Sequence, residues 1–138
     1  MTKNKGSAEL ALLIMNAGRL LHQKLHESGG EVSMLHFKIM CFVGERGPTA
    51  MKDLAVFLGI TAPSATVLVD RLVRSGELTR VASRGDRRSV SVKLTPRGKR
   101  TVRRDRKELV GRMSSILSCI SNDEANKLSS ILKNLLKK

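Results

Sequence analysis

Apolar positions recur every three or four residues over most of the chain, a period that predicts helices. Over 8–27, Leu10, Leu13, Ile14, Ala17, Leu20, Leu21 and Leu25 form one stripe. Ser7 is placed to cap its start, and Gly29-Gly30 to end it. A second helix is expected over about 34–45, with Ser33 as N-cap and Leu35, Ile39, Met40, Phe42 and Val43 facing inward. Val32 and Phe37 stand at the two positions of a hydrophobic staple. After the Gly47-Pro48 break, Thr49 is expected to cap a third helix over about 50–58, burying Leu54, Ala55 and Leu58. Gly59 suits a left-handed C-cap. Thr61 opens a fourth helix over about 62–75, with Pro63 in its first turn and Gly76 closing it.

The period then changes to two. Residues 78–83 (Leu-Thr-Arg-Val-Ala-Ser) and 89–94 (Ser-Val-Ser-Val-Lys-Leu) alternate as half-buried strands do. Between them lies a tight basic hairpin, Arg84-Gly85-Asp86-Arg87-Arg88. Thr95-Pro96 reads as N-cap and first residue of a long fifth helix, reaching about 119 with Val102, Leu109, Met113, Ile116 and Leu117 on one side. Ser121-Asn122-Asp123-Glu124 is a capping box for a sixth helix, which carries Ala125, Leu128, Ile131, Leu132, Leu135 and Leu136.

Helices three and four, joined by Gly59-Ile60, make a helix-turn-helix, and the hairpin after them makes it winged. The expected fold class is mainly α with a small β-hairpin wing. A winged helix-turn-helix core at 33–95 is flanked by N- and C-terminal dimerisation helices at 8–30 and 96–138, all in one domain over 1–138. The terminal helices carry wide apolar stripes at Leu10, Leu13, Ile14, Ala17, Leu117, Leu128, Ile131, Leu132 and Leu135. The core between them has its own apolar residues, so these stripes need a partner surface. A second copy is the usual one.

Charge sharpens this picture. The chain of 138 residues has a net charge of +14. From Arg80 to Lys107 there are twelve basic residues against only Asp86 and Asp105, a surplus of ten of that fourteen. Such concentration points to a polyanion, nucleic acid before an anionic membrane surface. Aromatics make up 2%, with no Trp or Tyr, which argues against base stacking on single strands or RNA. Duplex DNA remains. Thr61, Ala62, Pro63, Ser64, Thr66 and Val67 would let the start of helix four approach base edges closely, offering hydroxyls and thymine-methyl contacts. Arg84, Arg87 and Arg88 would reach phosphates or the minor groove, with Asp86 orienting a neighbouring guanidinium.

These residues resemble the MarR family of bacterial transcription regulators. The likeness lies in Asp70-Arg71-Leu72-Val73-Arg74-Ser75-Gly76, then Arg80, Asp86-Arg87-Arg88 and Leu94-Thr95-Pro96-Arg97-Gly98. The helix order matches from residue 8 to the end. The resemblance implies a homodimer with interlocked terminal helices and a small-molecule effector lodged between those helices and the winged core. Members commonly repress promoters and release DNA on binding small, often aromatic, ligands or on oxidation. Carried over by position, Thr61 to Val67 face the major groove, Arg88 enters the minor groove held by Asp86, and Arg74 and Arg84 contact the backbone. Many relatives carry Arg or another polar residue where this chain has Val67, which shifts discrimination toward methyl contacts and DNA shape.

Other classes are less well served. A nonspecific architectural DNA binder would use the same basic wing. An enzyme would need a phosphate loop, a nucleophile-base arrangement or a dense ligand cluster, and none is visible, so no catalytic residues and no cofactor are expected. No metal is expected either, His22 and His26 being weak candidates four apart on one helix face. Cys41 and Cys119 read as buried reduced thiols. No signal peptide or membrane span is visible, so the expected location is the cytoplasm.

Overall fold

The computed structural model of the chain describes residues 3–27, 33–82 and 90–137. In order, they form α1 (Lys3–Glu27), α2 (Met34–Arg46), β1 (Thr49–Ala50), α3 (Met51–Leu58), α4 (Ala62–Arg74), β2 (Leu78–Ala82), β3 (Val90–Leu94) and α5 (Pro96–Ile116), then a 3-10 turn (Leu117–Cys119) and α6 (Asn122–Leu136). They divide into two compact units, one of Glu31–Glu108 and the other of Met1–Gly30 with Leu109–Lys138. The division falls inside α5, not at its start.

The core of the first unit is built from one face of each element. Ile39, Met40 and Val43 of α2, Leu54 of α3, Val69 and Leu72 of α4, Leu78 of β2 and Val92 of β3 form a single buried cluster. Each such side chain contributes roughly 1.5–3 kcal/mol by leaving water. Leu58, Phe42 and Val102 pack around its edge, whereas Leu35, expected inside, is exposed. The sheet is antiparallel in the order β1-β3-β2. Leu78 pairs with Leu94 and Ala82 with Val90, so residues 83–89 connect the strand ends. The expected basic tip, with Arg84, Asp86, Arg87 and Arg88, lies outside the described residues, as does Val32 of the expected staple.

Several expected boundaries move for identifiable reasons. Thr49 does not cap α3. It pairs with Val92 in β1, is buried, and donates its hydroxyl to the Gly47 carbonyl at 2.9 Å. Ala50 takes the N-cap position without a side-chain bond. α1 starts at Lys3, so Ser7 lies inside it. The fifth helix stops at Ile116 and tightens into the 3-10 turn. Cys119 is exposed rather than buried, and Cys41 is half-buried.

In the second unit the capping box of α6 follows expectation. Ser121 accepts from the Glu124 amide at 3.2 Å, and the Glu124 carboxylate accepts from the Ser121 amide at 2.8 Å. The Ser121 amide first, and then the Ser121 side chain, hold the Glu124 carboxyl below its usual range. The cap is therefore fully formed above the free carboxylate range and weakens as pH falls through the lowered value. Glu124→Gln should remove this acid-side dependence of α6 helicity, measured by circular dichroism. An acid transition identical to that of the parent protein would count against it. At the end of α1, Arg112 donates to the Leu25 carbonyl at 3.2 Å, satisfying a group in the last turn.

Candidate nucleic-acid interface

Gly59 sets the geometry of the helix pair. Its φ of 65° and ψ of 32° are left-handed, open to glycine at no steric cost. Its amide and that of Ile60 close the end of α3, Ile60 donating to Ala55 at 3.1 Å. The chain then turns so that α4 departs from α3 at 106°. Thr61 caps α4, accepting from the Ser64 amide at 3.4 Å and donating to the Ser64 hydroxyl at 2.9 Å. Thr66 donates back to the Ala62 carbonyl at 3.0 Å.

α4 divides into a buried and an exposed face. Ala65, Val69 and Leu72 are buried, while Thr61, Ala62, Pro63, Ser64, Thr66 and Val67 are all exposed. The helix thus presents a low, mixed hydroxyl-and-methyl surface at its positive end. Val67 is 54% exposed, far more than packing requires of a valine with a core at hand. Arg74 is exposed in the last turn.

The stem of the wing is fixed to this helix by groups that no local period reveals. Asp70 of α4 is ion-paired with Arg80 of β2. Both are partly exposed, so the pair is worth little in stability and more in orientation. At the base of the sheet, Thr95 donates to the Gly76 carbonyl and accepts from the Gly98 amide at 3.0 Å, capping α5. The Thr95 amide donates to Glu77 at 3.1 Å. A Cβ on Gly98 would sit 2.1 Å from the Glu77 carbonyl oxygen, so only glycine fits. The run from Leu94 to Gly98 is thus the clamp that joins wing to helix.

Beside the clamp, Arg97, Arg100 and Arg104 of α5 line a cleft of about 400 Å³ with Glu77 and Thr101. The Glu77 carboxylate there accepts from the hydroxyls of Ser75 at 2.8 Å and Thr101 at 3.4 Å. Arg104 forks onto the buried carboxylate of Asp105 at 3.0 Å. On the other unit, His22 and His26 lie together on α1. Among the described residues no group of three or more His, Cys, Asp or Glu side chains gathers as a metal site. The sequence pattern finds the exposed start of α4 but not the Asp70–Arg80 pair or the Gly98 contact. Each joins residues from different elements.

Comparison with known proteins agrees with this architecture. Residues 32–89 match the sequence model of the MarR family. YfiV of Bacillus subtilis (strain 168), an HTH-type transcriptional regulator, is 36% identical over 73 residues, 53% of this chain and 46% of that protein. The chain therefore aligns with less than half the length of YfiV. YpoP of the same organism, also an HTH-type transcriptional regulator, is 26% identical over 108 residues, 78% of this chain and 77% of YpoP. A MarR family protein from Bacillus stearothermophilus superposes with a TM-score of 0.80 at 21% identity, covering 96% of this chain and 94% of the other. FabT of Streptococcus pneumoniae, solved in complex with DNA, does so with a TM-score of 0.65 at 20% identity, covering 97% and 96%. The matched segment contains the whole helix-turn-helix, and the fold is shared with a solved MarR family protein.

Proposed function

We propose that the protein is a sequence-specific regulator of transcription that binds double-stranded DNA, a repressor acting as a homodimer on a pseudo-palindromic operator. The carrying observation is the start of α4. Six consecutive or near-consecutive small side chains, Thr61 to Thr66 with Val67 and without buried Ala65, stand exposed on a capped helix turned 106° from its neighbour. That is the shape that enters a major groove. The basic segment following it, with Arg84, Arg87 and Arg88 between β2 and β3, supplies phosphate and minor-groove contacts, and Asp86 orients Arg88.

The homodimer rests on the second unit. Leu10, Leu13, Ile14 and Ala17 of α1 and Leu128, Ile131, Leu132 and Leu135 of α6 are all exposed, as is Leu117. A groove of about 490 Å³ runs between the 3-10 segment and α6, lined by Leu117, Ile120, Leu128, Leu132 and Leu136. Half-exposed leucines each leave on the order of 1 kcal/mol of burial unused, which a second copy would recover. No single helix among the described residues is long and apolar enough to cross a membrane. We place the protein in the cytoplasm, without enzymatic activity or cofactor, and responsive to a small-molecule effector, as the family resemblance implies.

Arg88→Ala should lower operator affinity by roughly ten- to a hundredfold, with the dimer intact by light scattering, as expected for a desolvated guanidinium contact. Unchanged affinity would remove the wing from the interface. Ser64→Ala should instead alter base preference at one operator position and leave affinity for random duplex unchanged. A uniform loss across sequences would make Ser64 a positioning residue only.

A second reading, a nonspecific architectural binder, has one observation in its favour. The hydroxyls of Thr61 and Thr66 already donate within α4, to Ser64 and to Ala62. Fewer donors then remain for base edges. Such a protein would bind all duplexes alike with steep salt dependence.

A further inference from the structure

The histidine pair on α1 stands apart from every group used above. His22 and His26 are exposed, four residues apart, with ring centroids 4.4 Å apart. Their Nε2 atoms face each other at 3.3 Å. Two nitrogen ligands at about 2.0–2.1 Å from one ion at a tetrahedral angle are separated by about 3.3 Å, the same chord. The adjacent Glu27 carboxylate accepts from the Gln23 amide at 2.7 Å.

We propose that His22 and His26 form a bidentate site for a late first-row divalent cation, zinc being the ion tested. Neutral imidazole nitrogens on successive helical turns suit such ions, and water completes the coordination. Without metal, the same distance accommodates one Nε2–H···Nε2 hydrogen bond. Binding requires both rings to carry their proton on Nδ1, so the shared proton moves from Nε2 to Nδ1 and no net proton is lost. The ion would bridge the last two turns of α1, where Arg112 already holds the Leu25 carbonyl. A ligand bound only to the folded helix stabilises it.

The test is calorimetric titration of the reduced full-length protein with zinc chloride, in the parent, His22→Gln, His26→Gln and Cys119→Ser forms. Both histidines are exposed, so the variants should retain the parent's helical circular dichroism. The expected result is zinc binding at up to one ion per chain, weakened roughly tenfold or more in each histidine variant and unchanged in Cys119→Ser. Zinc should also raise the melting midpoint of the parent and not of the histidine variants. Equal binding by parent and His22→Gln, loss in Cys119→Ser alone, or no binding heat up to about 1 mM zinc would each overturn the site.

Discussion

Gly98→Ala should destabilise the winged unit by about 2–4 kcal/mol, although helix propensity alone argues the other way. In a free helix, exchanging glycine for alanine is worth about 1 kcal/mol in alanine's favour. Here the new methyl would lie 2.1 Å from the Glu77 carbonyl oxygen and 3.0 Å from its carbon, both backbone atoms. Backbone cannot swing aside as a side-chain end can. The Glu77 carbonyl also accepts from the Thr95 amide, so moving it breaks the clamp between wing and α5. Overlap therefore outweighs propensity. The melting midpoint should fall by more than about 10 °C for a unit of this size. Gly111, in the same helix with nothing beyond that helix within 4 Å of an added methyl, provides the contrast. Gly111→Ala should be neutral or stabilising by about 0.5–1 kcal/mol. Equal effects at the two positions would refute the contact.

Leu132→Glu should convert the protein to a monomer and reduce operator affinity on the order of a hundredfold or more. Leu132 is 46% exposed and lines the groove beside α6. In a monomer a carboxylate there keeps its water, so the winged unit should melt as before. In a symmetric dimer two carboxylates would be forced out of water against apolar surface, a cost of several kcal/mol each. Losing the dimer also loses the linkage between two reading helices, and with it the gain in effective concentration that linkage provides. Light scattering and DNA binding on the same sample report both effects. A dimer that persists in Leu132→Glu would mean that another surface joins the copies.

Much of the fold is legible in the chain because it is written in local periods. Ser33, Thr61 and Ser121 cap where small polar residues precede apolar stripes, and Gly59 turns where the pattern shifts phase. β1 escapes such reading because two residues carry no alternation, and Thr49 looks the same as a cap and as a strand residue until Val92 is brought beside it. The exposure of Cys119 depends on the chain leaving α-helical geometry after Ile116, which an apolar run continuing to Ile120 conceals. For the interface, the outward residues of α4 follow from its period. The Asp70–Arg80 pair and the Gly98–Glu77 contact do not, because they depend on how strands and helices meet.

The most direct measurement is fluorescence anisotropy of labelled duplex DNA, comparing the protein's own upstream promoter region with a scrambled duplex over a salt series. The promoter should be preferred by on the order of a thousandfold or more, with both affinities falling steeply as salt rises. Equal affinity for both duplexes would contradict a sequence-specific regulator of that promoter and favour the architectural reading. No binding to either at low salt would remove DNA as the ligand.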